Sequence, residues 1–213
     1  RTYRPFNGDT VVLNELKHNS FFVFRHVDLR GIYSAAIGLG SGDQVTVSVL
    51  TQDGVGQWGP FRGRGQLLKL LGWLERQHTR GRIEINAALR QVALQSKRAG
   101  LALVLSVLLS SEGYEDGLRA LQGRGHEVAL IQVLSADEVD PPVMGDLKLI
   151  DVETGIPQEV SIDAEMRALY LQRFQAWQTE IGAYCTRRGI HYAAAQTDTP
   201  WEQLILSELR RLS

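Results

Sequence analysis

The sequence predicts a doubly wound α/β fold, a mostly parallel sheet with helices on both faces and one β-hairpin inserted into it. Three observations carry this expectation. Leu101 to Leu109 is apolar at every position but Ser106, as in a strand buried on both faces of a parallel sheet. Strand-like and helix-like periods alternate from residue 29 onward, and the connections are long enough for right-handed parallel crossovers. Between Gly145 and Ile162 the period changes to two, which a helix cannot explain.

In chain order, Arg1 to Asp9 is polar and turn-rich, and residues 1–19 read as the remnant of an upstream segment ahead of a single domain over 20–213. The abrupt start at Arg1-Thr2-Tyr3-Arg4-Pro5 suits a piece of something longer. Thr10 to Leu13 and Ser20 to Phe24 are short β-rich runs, either a hairpin or two separate strands. Leu29 to Leu39 reads as a small-residue helix ending at Gly40, followed by a strand from Gln44 to Leu50.

A Gly-rich connection, Asp53 to Gly65, leads into a helix with Leu67, Leu70, Leu71 and Leu74 on one face. A second helix, Ile85 to Arg98, gathers Ile85, Ala88, Leu89 and Val92 and stops at Gly100. The strand Leu101 to Leu109, expected near the sheet's centre, precedes a short helix from Tyr114 to Leu121 and a strand from Glu127 to Leu134. Residues 145–162 form the hairpin around Glu153-Thr154-Gly155. Asp163 caps a long helix whose stripe Met166, Tyr170, Phe174, Trp177, Ile181 and Tyr184 is core rather than a cofactor box. Ile190 to Ala195 is the last strand, and Thr199-Pro200-Trp201-Glu202 opens a final helix.

Composition narrows the function. A chain of 213 residues that is 44% hydrophobic supports one sizeable core. A net charge of −1 argues against a broad electrostatic grip on nucleic acid or an anionic membrane. One cysteine, Cys185, fits plain burial in a reducing compartment. No apolar run reaches the roughly 20 residues that span a bilayer, and no signal-peptide pattern opens the chain, so a cytoplasmic location is expected, with tethering of a longer native chain left open.

Ligand crevices of open α/β sheets lie at the carboxyl ends of the strands, which directs attention to Ser106 through Tyr114. That loop offers hydroxyls and one glutamate, and Ser106, Ser110, Ser111, Glu112 and Tyr114 are the candidate contact residues. Gly38-Leu39-Gly40-Ser41-Gly42-Asp43 leaves a helix and opens a strand, the reverse of a phosphate-cradling loop. Arg62-Gly63-Arg64-Gly65 with Trp58 and Phe61 could stack and hold single-stranded nucleic acid, but a solvated loop capping the next helix explains it more simply. His126 and His191 each precede a strand, at the wrong end of the sheet. Ser106 and Ser110 lack the flanking glycines of a nucleophile elbow. Asp137, Glu138 and Asp140 follow a strand and could hold a hard cation in a metal-assisted enzyme, the rival reading.

From Gly42 onward the order of elements resembles a von Willebrand factor A domain. The stretches Leu105 to Leu118, Arg124 to Val128, Leu134 to Pro141 and Asp151 to Gly155, with Arg1 to Pro5 ahead of them, are similar to a bacterial family of unknown biochemical function. Its members are often encoded beside MoxR-type AAA+ ATPases. The resemblance implies a metal-ion-dependent adhesion site built from an Asp-x-Ser-x-Ser loop, a threonine and an aspartate. Here the first motif is missing: Phe22 to Asp28 runs almost directly into the first helix. Either residues are lost between Arg25 and Leu29, or Phe21 to Val27 is itself the first strand. The threonine's place falls at Ile83 and the aspartate's at Val107, and neither side chain can ligate a cation. The expectation is a non-enzymatic interaction or assembly module without metal or other cofactor, whose partner, by resemblance, is a MoxR-type ATPase or the complex it remodels; a cation-dependent adhesion module using carboxylates near the sheet's carboxyl end is the alternative beside the metal-assisted enzyme.

Overall fold

A computed structural model describes residues 2–5, 11–12, 35–51, 54–77, 84–109, 112–142, 144–150 and 157–197. It is a mixed α/β protein that divides into two compact units, residues 18–128 and residues 1–17 with 129–213. The strand expected over Phe21 to Val27 and the final helix after Thr199 lie outside the described residues, as do Ile83, Ser110 and Ser111.

In the unit 18–128, helix α1 covers residues 35–41 and leads into strand β3 (Val45–Thr51), which pairs antiparallel with β4 (Gly54–Phe61). The sequence reading placed a loop where β4 lies. Its glycines permit close approach within a strand instead. At Gly59 the backbone has φ 102°, and a Cβ would sit 2.5 Å from the Val45 carbonyl oxygen. At Gly56 a Cβ would come within 3.1 Å of Gln77 and 3.7 Å of the Trp73 ring. Trp58, on the same strand, is buried and forms a core with Ala35, Leu39, Val49, Leu70 and Leu74. Leu70 and Leu74 come from helix α2 (Leu67–Leu74), the apolar face read from the leucine spacing. Full burial of each such leucine stabilises the unit by about 1.5–3 kcal/mol.

Helix α3 (Ile85–Gln95) ends sooner than its pattern suggested. The C-cap is Ser96, whose hydroxyl donates to the Val92 carbonyl at 2.9 Å. Arg124 donates to the carbonyls of Ala93 (3.1 Å) and Ser96 (3.2 Å), so these acceptors at the helix end are satisfied well before Gly100. Strand β5 is Leu101–Ser106, three residues shorter than the apolar run, because the chain turns at Leu108, the one non-glycine residue with positive φ (61°) among the described residues. Helix α4 spans Glu115–Gly123.

Strand β6 (Glu127–Leu134) is buried from Val128 to its end. It is the middle strand of a sheet of order β5–β6–β9, where β9 is His191–Gln196 and runs parallel to β6 with Gln132 opposite Ala194. Leu101–Ser106 is therefore terminal in this order among the described residues. Gln132 is fully buried. Its Oε1 accepts the Tyr192 hydroxyl at 2.6 Å and, more weakly, Gln178 Nε2 at 3.5 Å.

Short helix α5 (Ala136–Val139) follows, then β7 (Gly145–Ile150) and β8 (Pro157–Ile162), paired antiparallel from Gly145 opposite Ile162 to Ile150 opposite Pro157. β1 (Thr2–Pro5) pairs antiparallel with β7, and β2 (Val11–Val12) with β1, giving the order β2–β1–β7–β8. The segment read as an upstream remnant thus contributes strands to the sheet of the hairpin.

Helix α6 (Ala164–Arg188) is capped by Asp163, which accepts the Met166 N–H at 2.7 Å, and stops at Gly189 in the left-handed conformation. Its aromatic stripe is core only in part, with Trp177 and Tyr184 half-buried. Phe174, Ile181 and Cys185 are buried, whereas Met166 is 52% and Tyr170 39% exposed. No helix among the described residues is long and apolar enough to cross a membrane.

Candidate functional site

The loop after β5 is built from the strand's own apolar run. Val107 and Leu108 are buried, and the Ser106 hydroxyl, also buried, accepts the Leu108 N–H at 3.0 Å. That bond holds the turn in which Leu108 adopts a conformation that non-glycine residues rarely take. The chain then emerges: Leu109 is 43% exposed and Glu112 is exposed. Tyr114, like Ser106, is buried, which leaves Glu112 as the accessible member of the expected contact set among the described residues.

The far side of the loop is pinned by a residue the sequence reading passed over. Asn86, on the first turn of α3 and 8% exposed, donates from Nδ2 to the Glu112 carbonyl at 2.7 Å and accepts the Gly117 N–H on Oδ1 at 2.8 Å. Gly117 allows α4 to approach this closely, since a Cβ there would lie 2.7 Å from the Leu89 Cβ and 3.2 Å from the Asn86 Cα. A glycine inside a helical pattern was the available signal for a close helix crossing. Beside this contact Asp116 meets Arg90 at 2.9 Å and also pairs with Arg119. The hydrogen bond from Arg119 is the largest influence holding its carboxyl below the ordinary range, and its charge and Arg90 add to it.

Of the positions that the resemblance assigns to cation ligands, the loop after β5 is among the described residues. The position assigned by resemblance to an aspartate is Val107, a fully buried hydrocarbon, and the neighbouring hydroxyl already accepts a backbone amide. Of the carboxylates after β6, Asp137 is exposed, whereas Glu138 and Asp140 are engaged in structure. Glu138 closes a capping box with Ser135, accepting the Ser135 N–H at 2.6 Å while Ser135 Oγ accepts the Glu138 N–H at 3.2 Å. Burial raises its pKa. Asp140 receives one Arg167 nitrogen on both oxygens at 2.6 Å, and the Tyr170 hydroxyl donates to the Glu138 carbonyl. Among the described residues no group of three His, Cys, Asp or Glu side chains is placed to hold a metal.

The remaining sequence candidates have structural employment. The Gly42 and Asp43 amides turn back onto the Leu39 (3.3 Å) and Gly38 (2.8 Å) carbonyls, the closing turn of α1 rather than a phosphate cradle. Trp58 is buried, its ring 4.7 Å from that of Phe61, so it offers no stacking platform, whereas Phe61 is 41% exposed. His126 Nδ1 lies 3.1 Å from the Gly100 carbonyl oxygen. The Cys185 thiol is buried and pushed up to about 11 by desolvation, an inert rather than reactive setting.

Several mycobacterial proteins are similar to the chain. An uncharacterized protein of Mycobacterium avium is 28% identical over 135 residues, covering 63% of this chain and 79% of that protein. Uncharacterized proteins of Mycobacterium bovis and Mycobacterium tuberculosis are 29% identical over 118 residues, 55% of this chain and 37% of theirs. No solved structure matches. The family model described as "Protein of unknown function DUF58" matches residues 33–180, more than half of the chain, which therefore belongs to the DUF58 family.

Proposed function

We propose that the chain is a non-enzymatic interaction or assembly module of the doubly wound A-domain type, in which the adhesion-site position has lost its cation and the carboxyl-end loop meets a protein partner. Following the resemblance drawn from the sequence, that partner is a MoxR-type AAA+ ATPase or the complex it remodels. The supporting observation is Val107, buried and without a donor atom where the resemblance calls for a carboxylate. Divalent cations demand oxygen ligands, and hydrocarbon packing leaves shape and surface charge as the means of recognition.

Calorimetry with magnesium, manganese and calcium tests the reading, with no binding heat expected. A saturable isotherm abolished by Asp137→Asn would favour the metal-assisted alternative. In a second arm, a purified MoxR-type ATPase from the same organism is passed over the immobilised chain. Association weakened several-fold by Glu112→Ala is expected, as for a charge at an interface, and unchanged association removes Glu112 from the contact.

A further inference from the structure

The segment around Phe61 is basic in a chain that is not. Residues 54–77 carry four cations, Arg62, Arg64, Lys69 and Arg76, against the single acid Glu75, while the whole chain has a net charge of −1. The sequence reading gave the Arg62-Gly63-Arg64-Gly65 loop to capping of the following helix. That employment is not found: neither the 3-10 turn Arg64–Gln66 nor α2 has a side-chain cap. Among the described residues the ion pairs join Arg90, Arg119 and Arg167 to carboxylates, and none of Arg62, Arg64 and Lys69, all exposed, is paired with one.

The same segment exposes hydrocarbon. Phe61 ends β4, and although its ring leans on that of Trp58 the residue stays 41% exposed, while Leu68, on the first turn of α2, is 80% exposed. The turn runs into α2 with helical backbone at Gln66 and Leu67, so Arg64 and Leu68, four residues apart, are surface neighbours. Arg64 is also steadied by the end of α1, its Nε standing 3.5 Å from the place of a Cβ at Gly40. Isolated apolar side chains on a surface are ordinary. Here two of them accompany unpaired cations, and that combination has a chemical complement.

We propose that Phe61, Arg62, Arg64, Leu68 and Lys69 form a docking surface for an acidic segment of a protein, one that carries aliphatic or aromatic side chains between its carboxylates. The cations meet the carboxylates, arginine in a two-pronged geometry, and the apolar pair takes hydrocarbon out of water. A single-stranded nucleic acid fits less well, because its bases stack on flat aromatic faces and Trp58, the other aromatic of β4, is buried. The surface belongs to β4 and α2 and uses neither the carboxyl-end loop nor the partner proposed above, so its test stands apart from theirs.

Fluorescence anisotropy on the whole chain tests it, with a labelled peptide of aspartate and leucine, the same peptide with serine for leucine, and oligodeoxythymidylate. Saturable binding of the aspartate–leucine peptide is expected, weakening as salt screens the charges. Replacing Arg62 and Arg64 together by serine should weaken it about tenfold, the scale of two exposed ion pairs. Leu68→Ser should weaken it about fivefold while leaving the weaker binding of the serine peptide unmoved. Circular dichroism checks that the variants fold; should the double variant not fold, Lys69→Ser carries the charge arm with a loss of about threefold.

No saturable binding of the aspartate–leucine peptide overturns the proposal, as does binding that the arginine and lysine changes leave intact. Equal affinity for the two peptides, or unchanged affinity in Leu68→Ser, overturns the apolar part of the surface. Oligodeoxythymidylate bound more tightly than the peptide, and lost with Arg62 and Arg64, overturns the assignment to a protein.

Discussion

The loops that follow β5 and β6 dispose of their polar groups in different ways. After β5 the chain turns inward, burying Val107 and Leu108 and using Ser106 and Asn86 as internal clasps. After β6 it stays acidic, with Glu138 held in the Ser135 capping box and Asp140 paired with Arg167. Position at a strand's carboxyl end creates an opportunity for chemistry, but availability of the side chains decides whether it is taken. The first loop relies on buried hydrogen bonds and the second on one buried, titratable cap and one exposed ion pair, so the two should respond to substitution on different scales.

The largest effect should come from Gly117→Ala. A methyl group there meets the Leu89 Cβ and the Asn86 backbone, and overpacking of this kind costs about 1–3 kcal/mol, partly offset by alanine's better helix propensity. Urea unfolding reads it, and a neutral result would mean that α3 and α4 can separate freely. Ser106→Ala should cost about 1 kcal/mol, because the buried Leu108 N–H loses its acceptor; the same unfolding curves check it.

The acidic loop should respond to pH more than to truncation. The folded-state pKa of Glu138 is raised by burial above the ordinary value of 4.5, so the folded chain binds the proton more tightly than the unfolded one. That contribution is fully present below the ordinary value and is lost as pH rises through the folded-state pKa. Glu138→Gln, which can still close the capping box, should therefore gain stability relative to wild type on going from pH 4 to pH 7, and a pH-independent difference would show that the carboxyl is well solvated. The smallest effect belongs to Asp140→Ala. Its pair with Arg167 is 41–49% exposed, and exposed pairs contribute at most about 1 kcal/mol, detectable as a salt-sensitive shift in melting temperature.

Much of the secondary structure could be read from local pattern. The bounds of β6, the two strands of the hairpin, the Asp163 cap and the Gly189 stop of α6 follow from periodicity and capping chemistry that act within a few residues. What escaped reading depends on distant partners. β4 was taken for a loop because its glycines suggest turns, whereas they make room for Val45 and Trp73. α3 was drawn too long because the residue that satisfies its last carbonyls, Arg124, sits 28 positions beyond Ser96. At the carboxyl-end loop the sequence did not disclose which side chains are accessible. Ser106 and Tyr114 looked available on a strand-end loop and are buried, and Asn86 carried no signal in its own helix because its hydrogen-bond partners lie 26 and 31 residues away.

The glutamine at the middle of β6 has a consequence for how the chain finds one arrangement rather than several. Almost every other side chain of that strand is hydrocarbon, and hydrocarbon is indifferent to a slip of β9 along its neighbour. Moving β9 by two residues would carry the Tyr192 hydroxyl away from Gln132 Oε1, and the loss of one such hydrogen bond costs about 0.5–1.5 kcal/mol. Gln132 thus acts as an alignment key, penalising near-miss packings that greasy contacts alone would tolerate.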